Sequence, residues 1–521
     1  MRRVSALWRA NAIVFISSFC VMVIELIAAR ILAPYIGISL YTWTSIIGVI
    51  LTGIALGNYL GGKIADRHPS PSLLSLMFLM GGLLTALILP TVKVVTSGEW
   101  FSGLPLMLDF TLKTAAIFFL PAIVLSMVSP LVIKLTLADL GQTGGIVGTI
   151  YAVSTAGAIL GTFMTGFFFI LWFGTRMIVW LVTAVLILTG ILTWFSWKTP
   201  NRWKLTLKNI VAWILALEIL LVSTFVFQQR ESWEEHYTRE SNYYTIRVSL
   251  VSVGDNNFKM LRLDQLAHSF TADPPNPLML AYPHVKVFGE IVSYLTRDNQ
   301  RPRLLHLGGG GYTFPRYMET IYPDSINEVV EIDPAVTDVA YQELYLPPTT
   351  SIKTYNQDAR LFLIKRKAAE KYDVIIGDVF NDRSTPYHLT TMEFNRLIKA
   401  ELKDDGVYMI NLVDDYEHGR YLPSFLHTLK QTFSNVYLFS TRKGGIETGV
   451  SIFVIVATER SINIADYTEF VSRNGTGEMV GTPYAKDKLE AYLSSRKPIL
   501  LTDDHAPTDI LVAPLISKHL K

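Results

Sequence analysis

The chain has 521 residues, a length that predicts at least two domains. Half of its residues are hydrophobic and only 17% are charged, which is less charge than a soluble protein of this size carries. The net charge of +2 gives no reason to expect nucleic acid as a partner, since such binding depends on a basic surface. Cys20 is the single cysteine, so an intrachain disulfide and a metal site of several cysteines are both excluded.

The excess of apolar residues lies before about residue 230. A membrane-spanning helix needs about 20 apolar residues. Seven runs reach that length, at residues 11–33, 40–62, 73–95, 114–136, 145–173, 177–197 and 208–228. No cleavage pattern of a secretory signal follows the first run, so we expect it to be retained as a helix. These runs predict a multi-span α-helical membrane domain over residues 1–230.

Two acidic residues interrupt these apolar runs. Glu25 lies in the first run and Glu218 in the last. A carboxylate inside a membrane span is by default a functional hypothesis, and a structural ion pair is the alternative. The sequence leaves the role of both residues open.

Short β-forming segments follow a charged linker. Tyr243–Val251 and Phe258–Leu263 are rich in β-formers, and the residues between them, Gly254–Asn257, are typical of a turn. Residues 231–275 are therefore predicted to form a linker and a small β-hairpin layer. From residue 276 to 521, strand-like and helix-like segments alternate, which predicts an α/β domain with a mostly parallel sheet. Ligands of such domains bind beyond the carboxyl ends of the strands.

A glycine-rich turn and two acids follow the first three predicted strands of this domain. Gly308, Gly309 and Gly310 come directly after a strand, and glycine lets the backbone approach a ligand closely. Glu331 ends the next strand, at the place where an acid can hold two ribose hydroxyls. Asp358 follows the third strand, placed to accept from an adenine amino group. In this order, the three features predict a nucleoside-binding site.

A further acid ends the fourth predicted strand. Asp378 is the best candidate for a general base, because a carboxylate can attract a protonated amine and take its proton. Asp382, Tyr387 and His388 follow on the same loop. A loop histidine is as often simply solvated, so both interpretations of His388 stay open.

These residues resemble those of the spermidine synthase (polyamine aminopropyltransferase) family, and more closely those of its membrane-fused branch. The similarity spans about Glu240–Leu511. It lies in the segments Glu240–Val248, Leu263–Asp264, Leu307–Gly310, Val330–Asp333, Asp358, Asp378, Pro386–Phe394 and Leu501–Pro507, with Glu25–Arg30 in the membrane domain. The resemblance implies a Rossmann-like domain of the methyltransferase type.

The resemblance also implies an activity and roles for particular residues. The family transfers a 3-aminopropyl group from decarboxylated S-adenosylmethionine to an amine without a metal. Glu331 would hold the ribose, Asp358 the adenine and Asp378 would be the catalytic aspartate. By this resemblance, Gln265 and Tyr282 would line the acceptor side. Further candidates for that side are Asp264 and the loop residues Asp382, Tyr387 and His388.

The chain departs from the family pattern at three places. Gly311 stands where the family has an aspartate that holds the donor's amino group. Asn381 stands where it has a second acid after the catalytic aspartate. An acidic pair that usually follows the β layer is absent around Asp273. These departures leave the acceptor open, and also the choice between the decarboxylated and the ordinary donor.

Three functions therefore compete. The first is a membrane-anchored aminopropyltransferase, and the second is an S-adenosylmethionine-dependent methyl or aminocarboxypropyl transferase acting on a membrane-associated acceptor. The third is a non-catalytic nucleoside-sensing domain on a transporter-like membrane unit. The expected partners are a small-molecule amine and the lipid bilayer, with a homodimer left open. The donor is expected as a co-substrate, and no permanently bound cofactor is expected.

The side of the membrane that carries the α/β domain is also open. The distribution of lysine and arginine places the amino terminus in the cytoplasm. Seven spans would then place the α/β domain outside, whereas a donor made in the cytoplasm argues for the inside. We predict a multi-pass protein of the cell membrane without assigning this face.

Overall fold

The computed structural model describes residues 2–97, 101, 104–137, 143–196, 236–366, 370–380, 385–442, 449–474 and 480–519. The chain divides into two compact units, Met1–Glu234 and Glu235–Lys521. The predicted seventh span at residues 208–228, with Glu218, lies outside the described residues, and so does Asp382.

The described part of the amino-terminal unit is helical. Its helices are α1 (Arg2–Ile36), α2 (Leu40–Arg67), α3 (Pro71–Ala86), α4 (Ile88–Ser97), α5 (Leu106–Ser126), α6 (Val128–Thr136), α7 (Thr143–Met164), α8 (Ile170–Trp172) and α9 (Thr175–Ser196), with a π-helical turn at Thr165–Phe169. Within the described ranges, five helices are long and apolar enough to cross a membrane, or up to six if the bent pair α3 and α4 forms one span. Length and composition alone support these spans.

Glycines allow α2 to pack closely against α5 and α6. A Cβ on Gly53 would lie 2.8 Å from Ala122 Cβ, and a Cβ on Gly61 would lie 2.7 Å from Met127 Cα. Both distances are shorter than real side chains permit. Small residues on one helix face therefore bring these backbones together, as they do between membrane helices.

The carboxyl-terminal unit begins with a small antiparallel sheet of four strands in the order β1–β2–β3–β4. The strands are β1 (Tyr237–Glu240), β2 (Thr245–Val253), β3 (Asn256–Leu263) and β4 (Leu266–Ala272). The predicted hairpin corresponds to β2 and β3, and β1 and β4 extend it on both sides. Ile246, Val248 and Leu261 of this sheet pack against Val336 and Val339, which joins the small sheet to the following domain.

One residue of β4 has no partner in this sheet. Leu261 pairs with Ser269, and the next residue of β3, Arg262, pairs with Ala267. His268 is therefore the extra residue of a β-bulge. Bulges redirect side chains and are frequent beside active sites.

The larger sheet has eight strands in the order β12–β10–β11–β9–β8–β5–β6–β7. The strands are β5 (Arg303–Leu307), β6 (Ile326–Glu331), β7 (Lys353–Asn356), β8 (Tyr372–Gly377), β9 (Leu402–Asp415), β10 (Asn435–Ser440), β11 (Val450–Thr458) and β12 (Thr482–Pro483). Strands β5 to β9 pair in parallel, whereas β10, β11 and β12 pair antiparallel. Most strands of this sheet are thus parallel, as predicted, and the antiparallel strands make it a mixed sheet of the Rossmann-like, methyltransferase type.

Helices cover this larger sheet. They are α10 (Pro283–Leu295), α11 (Thr313–Ile321), α12 (Pro334–Gln342), α13 (Ala359–Lys365), α14 (Met392–Glu401), α15 (Tyr421–Leu429), α16 (Ile464–Asn474), α17 (Lys486–Ser495) and α18 (Thr508–His519). The apolar face of α10 buries Phe288 and Ile291 against Met409 and Val456 of the sheet. Burying a side chain of this size contributes about 1.5–3 kcal/mol, so this layer fixes the strands whose ends carry the predicted site.

Candidate functional site

A cavity of about 450 Å³ lies at the carboxyl ends of β5, β6 and β8. Strand β4 of the small sheet, the start of α10 and residues of β9 also contribute to its walls. Gly308, Gly309, Gly310, Glu331, Asp358, Asp378, Tyr282 and His388, all predicted as site residues, line this cavity. It is large enough for a small-molecule ligand.

The glycine turn brings the backbone of Asp378 beside β5. Gly308 has a φ of +91°, which side chains disfavour, and a Cβ there would lie closer than 3.0 Å to the backbone oxygen of Asp378. The Asp378 N–H donates to Leu307 O at 3.0 Å. Glycine at position 308 is thus required for Asp378 to approach the turn.

The Glu331 carboxylate accepts hydrogen bonds from the glycine turn. Its Oε2 accepts from the backbone N–H of Gly309 at 2.8 Å and of Gly310 at 3.3 Å, and its Oε1 accepts from Asp333 N–H at 3.0 Å. Burial raises the pKa of Glu331, and these N–H donors offset part of that effect. Each carboxylate oxygen has two lone pairs, so Glu331 can bind the turn and still accept from a ligand hydroxyl.

Asp358 follows β7 and Asp378 follows β8, and β5 and β6 lie between these two strands in the sheet. Its Oδ1 accepts from Leu361 N–H at 2.9 Å and caps α13, and its Oδ2 lies 2.9 Å from His388 Nε2. The contact with His388 lowers the pKa of Asp358 below its usual range, although burial acts in the opposite direction. His388 was predicted on the acceptor side, but it contacts Asp358, the residue predicted to hold the adenine.

Asp378 is fixed by two side chains. Asn411 Nδ2 donates to Asp378 Oδ1 at 3.0 Å, and His284 Nε2 lies 3.6 Å from Asp378 Oδ2. Burial alone would raise the pKa of Asp378, but His284, Asn411 and nearby His268 together lower it. The Asp378 side chain remains 34% exposed, and it lines the cavity. An ionised carboxylate therefore faces the cavity at neutral pH.

Three histidines near Asp378 were missed by the sequence analysis. His306 is buried, with Nε2 3.0 Å from Asn327 Oδ1, and burial lowers its pKa to about 4. His284 lies between the rings of Tyr282 and Phe288, at 5.1 and 5.8 Å. His268 lines the cavity from the bulge of β4, and burial lowers its pKa to about 4 as well. No motif marks these histidines, because the tertiary fold alone brings them to one end of the cavity.

Of the other predicted acceptor residues in the described ranges, only Tyr282 lines the cavity. Asp264 and Gln265 form the turn between β3 and β4, and neither lines the cavity. Asp264 is buried, with its Oδ1 accepting from Thr245 N–H at 2.9 Å. Tyr387 is 58% exposed and also lies outside the lining. Tyr282 does line the cavity, but its hydroxyl donates to Ala267 O at 2.7 Å.

Gly311, where the chain departs from the family pattern, lies against Ser269 of β4. A Cβ on Gly311 would overlap Ser269 Oγ of β4, well inside 3.0 Å. Ser269 is buried and its Oγ has no hydrogen-bond partner in the described residues. A side chain at position 311 therefore requires the Ser269 side chain to move, and no hydrogen bond within the described residues holds its Oγ in place.

Comparisons with known proteins agree with this architecture. Residues 305–466 match the family model of the spermine/spermidine synthase domain. A polyamine aminopropyltransferase of Vibrio vulnificus (strain CMCP6) is 32% identical over 158 residues, which cover 29% of this chain and 52% of that protein. The carboxyl-terminal unit therefore contains a region similar to the spermine/spermidine synthase domain. This confirms the predicted family, whose members are transferases, while the resemblance to its membrane-fused branch stays a prediction.

Two further proteins are similar to the spermidine synthase domain. A probable polyamine aminopropyl transferase of Bifidobacterium longum (strain NCC 2705) is 25% identical over 233 residues, 41% of this chain and 49% of that protein. The crystal structure of a probable spermidine synthase from Corynebacterium glutamicum ATCC 13032 is 21% identical, with a TM-score of 0.44, and covers 51% of this chain and 95% of that chain. The chain spans about half the length of the curated relatives described here.

Proposed function

We propose that the carboxyl-terminal unit transfers a 3-aminopropyl group from decarboxylated S-adenosylmethionine to an amine. The charge of the cavity carries this proposal. Its acidic lining residues are Glu331, Asp358 and Asp378, and no lysine or arginine is present among the described residues that line it. Because the pKa values of Asp358 and Asp378 are lowered, the cavity holds two ionised carboxylates, which favours cationic substrates.

The two ends of the cavity suit the two parts of the donor. The glycine turn and Glu331 offer backbone and carboxylate groups to the ribose. Asp358, paired with His388, offers a carboxylate to the amino group of the adenine. The sulfonium would then lie towards Asp378, where a negative charge stabilises it.

The chemistry at Asp378 is a substitution at carbon. The lone pair of a neutral amine forms a bond to the methylene next to the sulfonium. The carbon–sulfur bond breaks, and its electron pair neutralises the sulfur as a thioether. The new amine carries the positive charge and an extra proton, which it retains or releases to solvent. Such a reaction depends mainly on holding the two reactants in line.

The same charge argument favours the decarboxylated donor over the ordinary one. Ordinary S-adenosylmethionine carries an α-carboxylate, which needs a cationic or N–H-rich partner. The described lining offers histidines, of which His268 and His306 have pKa values of about 4 and are neutral at pH 7. A free carboxylate would therefore lie beside Asp378 without compensation, and like charges repel at such distances.

We infer in addition that the amino-terminal unit anchors this activity in a membrane. The five long apolar helices, or six with the bent pair, support this anchoring. Alkaline carbonate extraction of cell membranes tests it directly, since a spanning protein stays with the pellet. Release into the supernatant would refute the anchor. A protease-accessible tag at the carboxyl terminus, compared in intact and permeabilised cells, assigns the face of the transferase unit.

Calorimetry with the full-length protein in detergent tests the donor. We expect decarboxylated S-adenosylmethionine to bind more tightly than the ordinary form, and Asp378→Asn to reduce this difference. Asp504→Asn is the matched control, because Asp504 is an exposed aspartate that does not line the cavity. Preference for the ordinary donor would refute aminopropyl transfer and favour methyl or aminocarboxypropyl transfer instead.

A turnover assay separates an enzyme from a nucleoside sensor. The thioether product, 5′-methylthioadenosine, should appear when the decarboxylated donor is mixed with a panel of primary amines. Its formation should depend on Asp378. Donor binding without product for any amine would leave the non-catalytic function as the better explanation.

A further inference from the structure

The bulge in β4 gives His268 an orientation that a regular strand would not give it. Ser269 and Ala267 keep their ladder partners on β3, and His268 between them has none. Side chains of a regular strand alternate between its two faces. The extra residue breaks this alternation, and His268 lines the cavity.

The His268 ring is available to a ligand. It forms no side-chain hydrogen bond with any residue in the described ranges, and neither of its ring nitrogens is fully buried. His284 and His306, by contrast, contact Asp378 and Asn327. A neutral imidazole has one N–H and one free lone pair, so His268 brings an unused acceptor to this cavity.

A chain of contacts links His268 to Asp378, and both residues line the cavity. His284 Nε2 lies 3.6 Å from Asp378 Oδ2, the His284 ring lies 5.1 Å from that of Tyr282, and the Tyr282 hydroxyl donates to the carbonyl of Ala267, next to His268. A neutral primary amine has two N–H groups and one lone pair. When both N–H groups are held by acceptors, the lone pair has one remaining direction. Two acceptors at one end of the cavity can therefore aim the nucleophile.

We propose that His268 accepts a hydrogen bond from the attacking amine while Asp378 accepts the other. This role rests on the proposed transfer to an amine. It adds the residue that directs the amine lone pair at the donor carbon. Bond formation and carbon–sulfur cleavage are unchanged, and His268 takes part in neither.

Tyr282 has a positioning role in the same arrangement. Its hydroxyl donates to the carbonyl of Ala267, the residue just before the bulge, at 2.7 Å. Its ring packs edge-to-face on Phe270, just after the bulge, with ring centroids 4.9 Å apart. Tyr282 therefore contacts the strand on both sides of His268 and holds the bulge in place.

Two substitutions of His268 separate hydrogen bonding from ring size. His268→Phe keeps a ring and removes the acceptor, whereas His268→Gln keeps an acceptor oxygen. We expect His268→Phe to lower kcat/KM for 1,4-diaminobutane and for n-butylamine by about 10- to 100-fold, the range for a hydrogen bond to a charged group, since the amine nitrogen becomes positive as the bond forms. His268→Gln should retain most of the activity.

Donor binding provides the control for folding. Calorimetry with decarboxylated S-adenosylmethionine should give the same Kd for the wild type and both His268 variants, within about twofold. His388→Phe is the opposite control, since His388 contacts Asp358. It should weaken donor binding and leave the KM of the amine nearly unchanged.

A double-mutant cycle tests Tyr282. Tyr282→Phe removes the hydroxyl that bonds Ala267 and should lower kcat/KM for the amine less than His268→Phe does. In the double variant, the Tyr282 effect should nearly vanish, because residues that act through one another are not additive. Full additivity would show that Tyr282 acts independently of the bulge.

The outcomes distinguish this role from the proposed function. If the wild type forms no 5′-methylthioadenosine with any amine, amine transfer is refuted and the role of His268 falls with it. If the wild type transfers and His268→Phe matches it, only the role of His268 is refuted. Loss of donor binding in both His268 variants would show a structural role instead.

Discussion

Replacing Gly308 by alanine should displace Asp378 without altering any charged group. At a φ of +91°, an added Cβ costs about 1–2 kcal/mol in backbone strain. The same Cβ would overlap the backbone oxygen of Asp378, and relief of such overpacking costs about 1–3 kcal/mol more. The variant should thus lose about 2–5 kcal/mol of stability, because the backbone at Asp378 must move to relieve the overlap.

Gly310→Ala is the control that separates the overlap with Asp378 from the backbone strain. Gly310 also has a positive φ, of +48°, but a Cβ there would meet nothing within 4 Å. This control should therefore lose only the strain of about 1–2 kcal/mol. Comparing the two variants by thermal melting measures the contact with Asp378.

Turnover should separate the two variants further. A shift of Asp378 by about 1 Å costs on the order of 100-fold in rate, so Gly308→Ala should be far less active than Gly310→Ala. The assay is 5′-methylthioadenosine formation at saturating decarboxylated donor. Equal activity and equal melting temperature of the two variants would refute the idea that Gly308 positions Asp378.

Three other predictions follow from the site. Asp378→Asn should reduce kcat by at least about 100-fold while melting near the wild-type temperature, and wild-type turnover in this variant would remove Asp378 from the chemistry. The folded-state pKa of His306 is about 4, below its unfolded value of about 6.5, so its contribution to stability is present above pH 6.5 and is lost as pH falls towards 4. Thermal melts of His306→Gln should depend less on pH across this window, and an unchanged dependence would contradict that assignment. Gly311→Ala should destabilise the protein by about 1–3 kcal/mol through overlap with Ser269, and adding Ser269→Gly should restore the melting temperature; failure of this rescue would exclude Ser269 as the cause.

The acids of the site could be predicted because strand order alone brings them together. Glu331, Asp358 and Asp378 each follow a strand of one parallel set, and the carboxyl ends of such strands lie at one edge. Periodicity located these strands well. The antiparallel strands β10 and β11 carry similar apolar patterns, so the pattern could not reveal that their direction changes.

The histidines could not be predicted for a different physical reason. The segment Leu266–Ala272 lacks a regular alternation, because the bulge at His268 shifts the side chains after it to the other face. This concealed both the strand and the residue it presents. His388 was found, but its contact with Asp358 joins residues 30 apart in the chain, which no local pattern encodes.

The cavity takes its walls from two separate sheets. The groups proposed to hold the donor lie on the eight-stranded sheet, whereas His268 lies on the small one, attached through the apolar contacts of Ile246 and Val248 with Val336 and Val339. Substitutions in β4 can then alter the choice of amine while the nucleoside pocket stays intact. Such a division lets new acceptor specificities evolve around an unchanged donor.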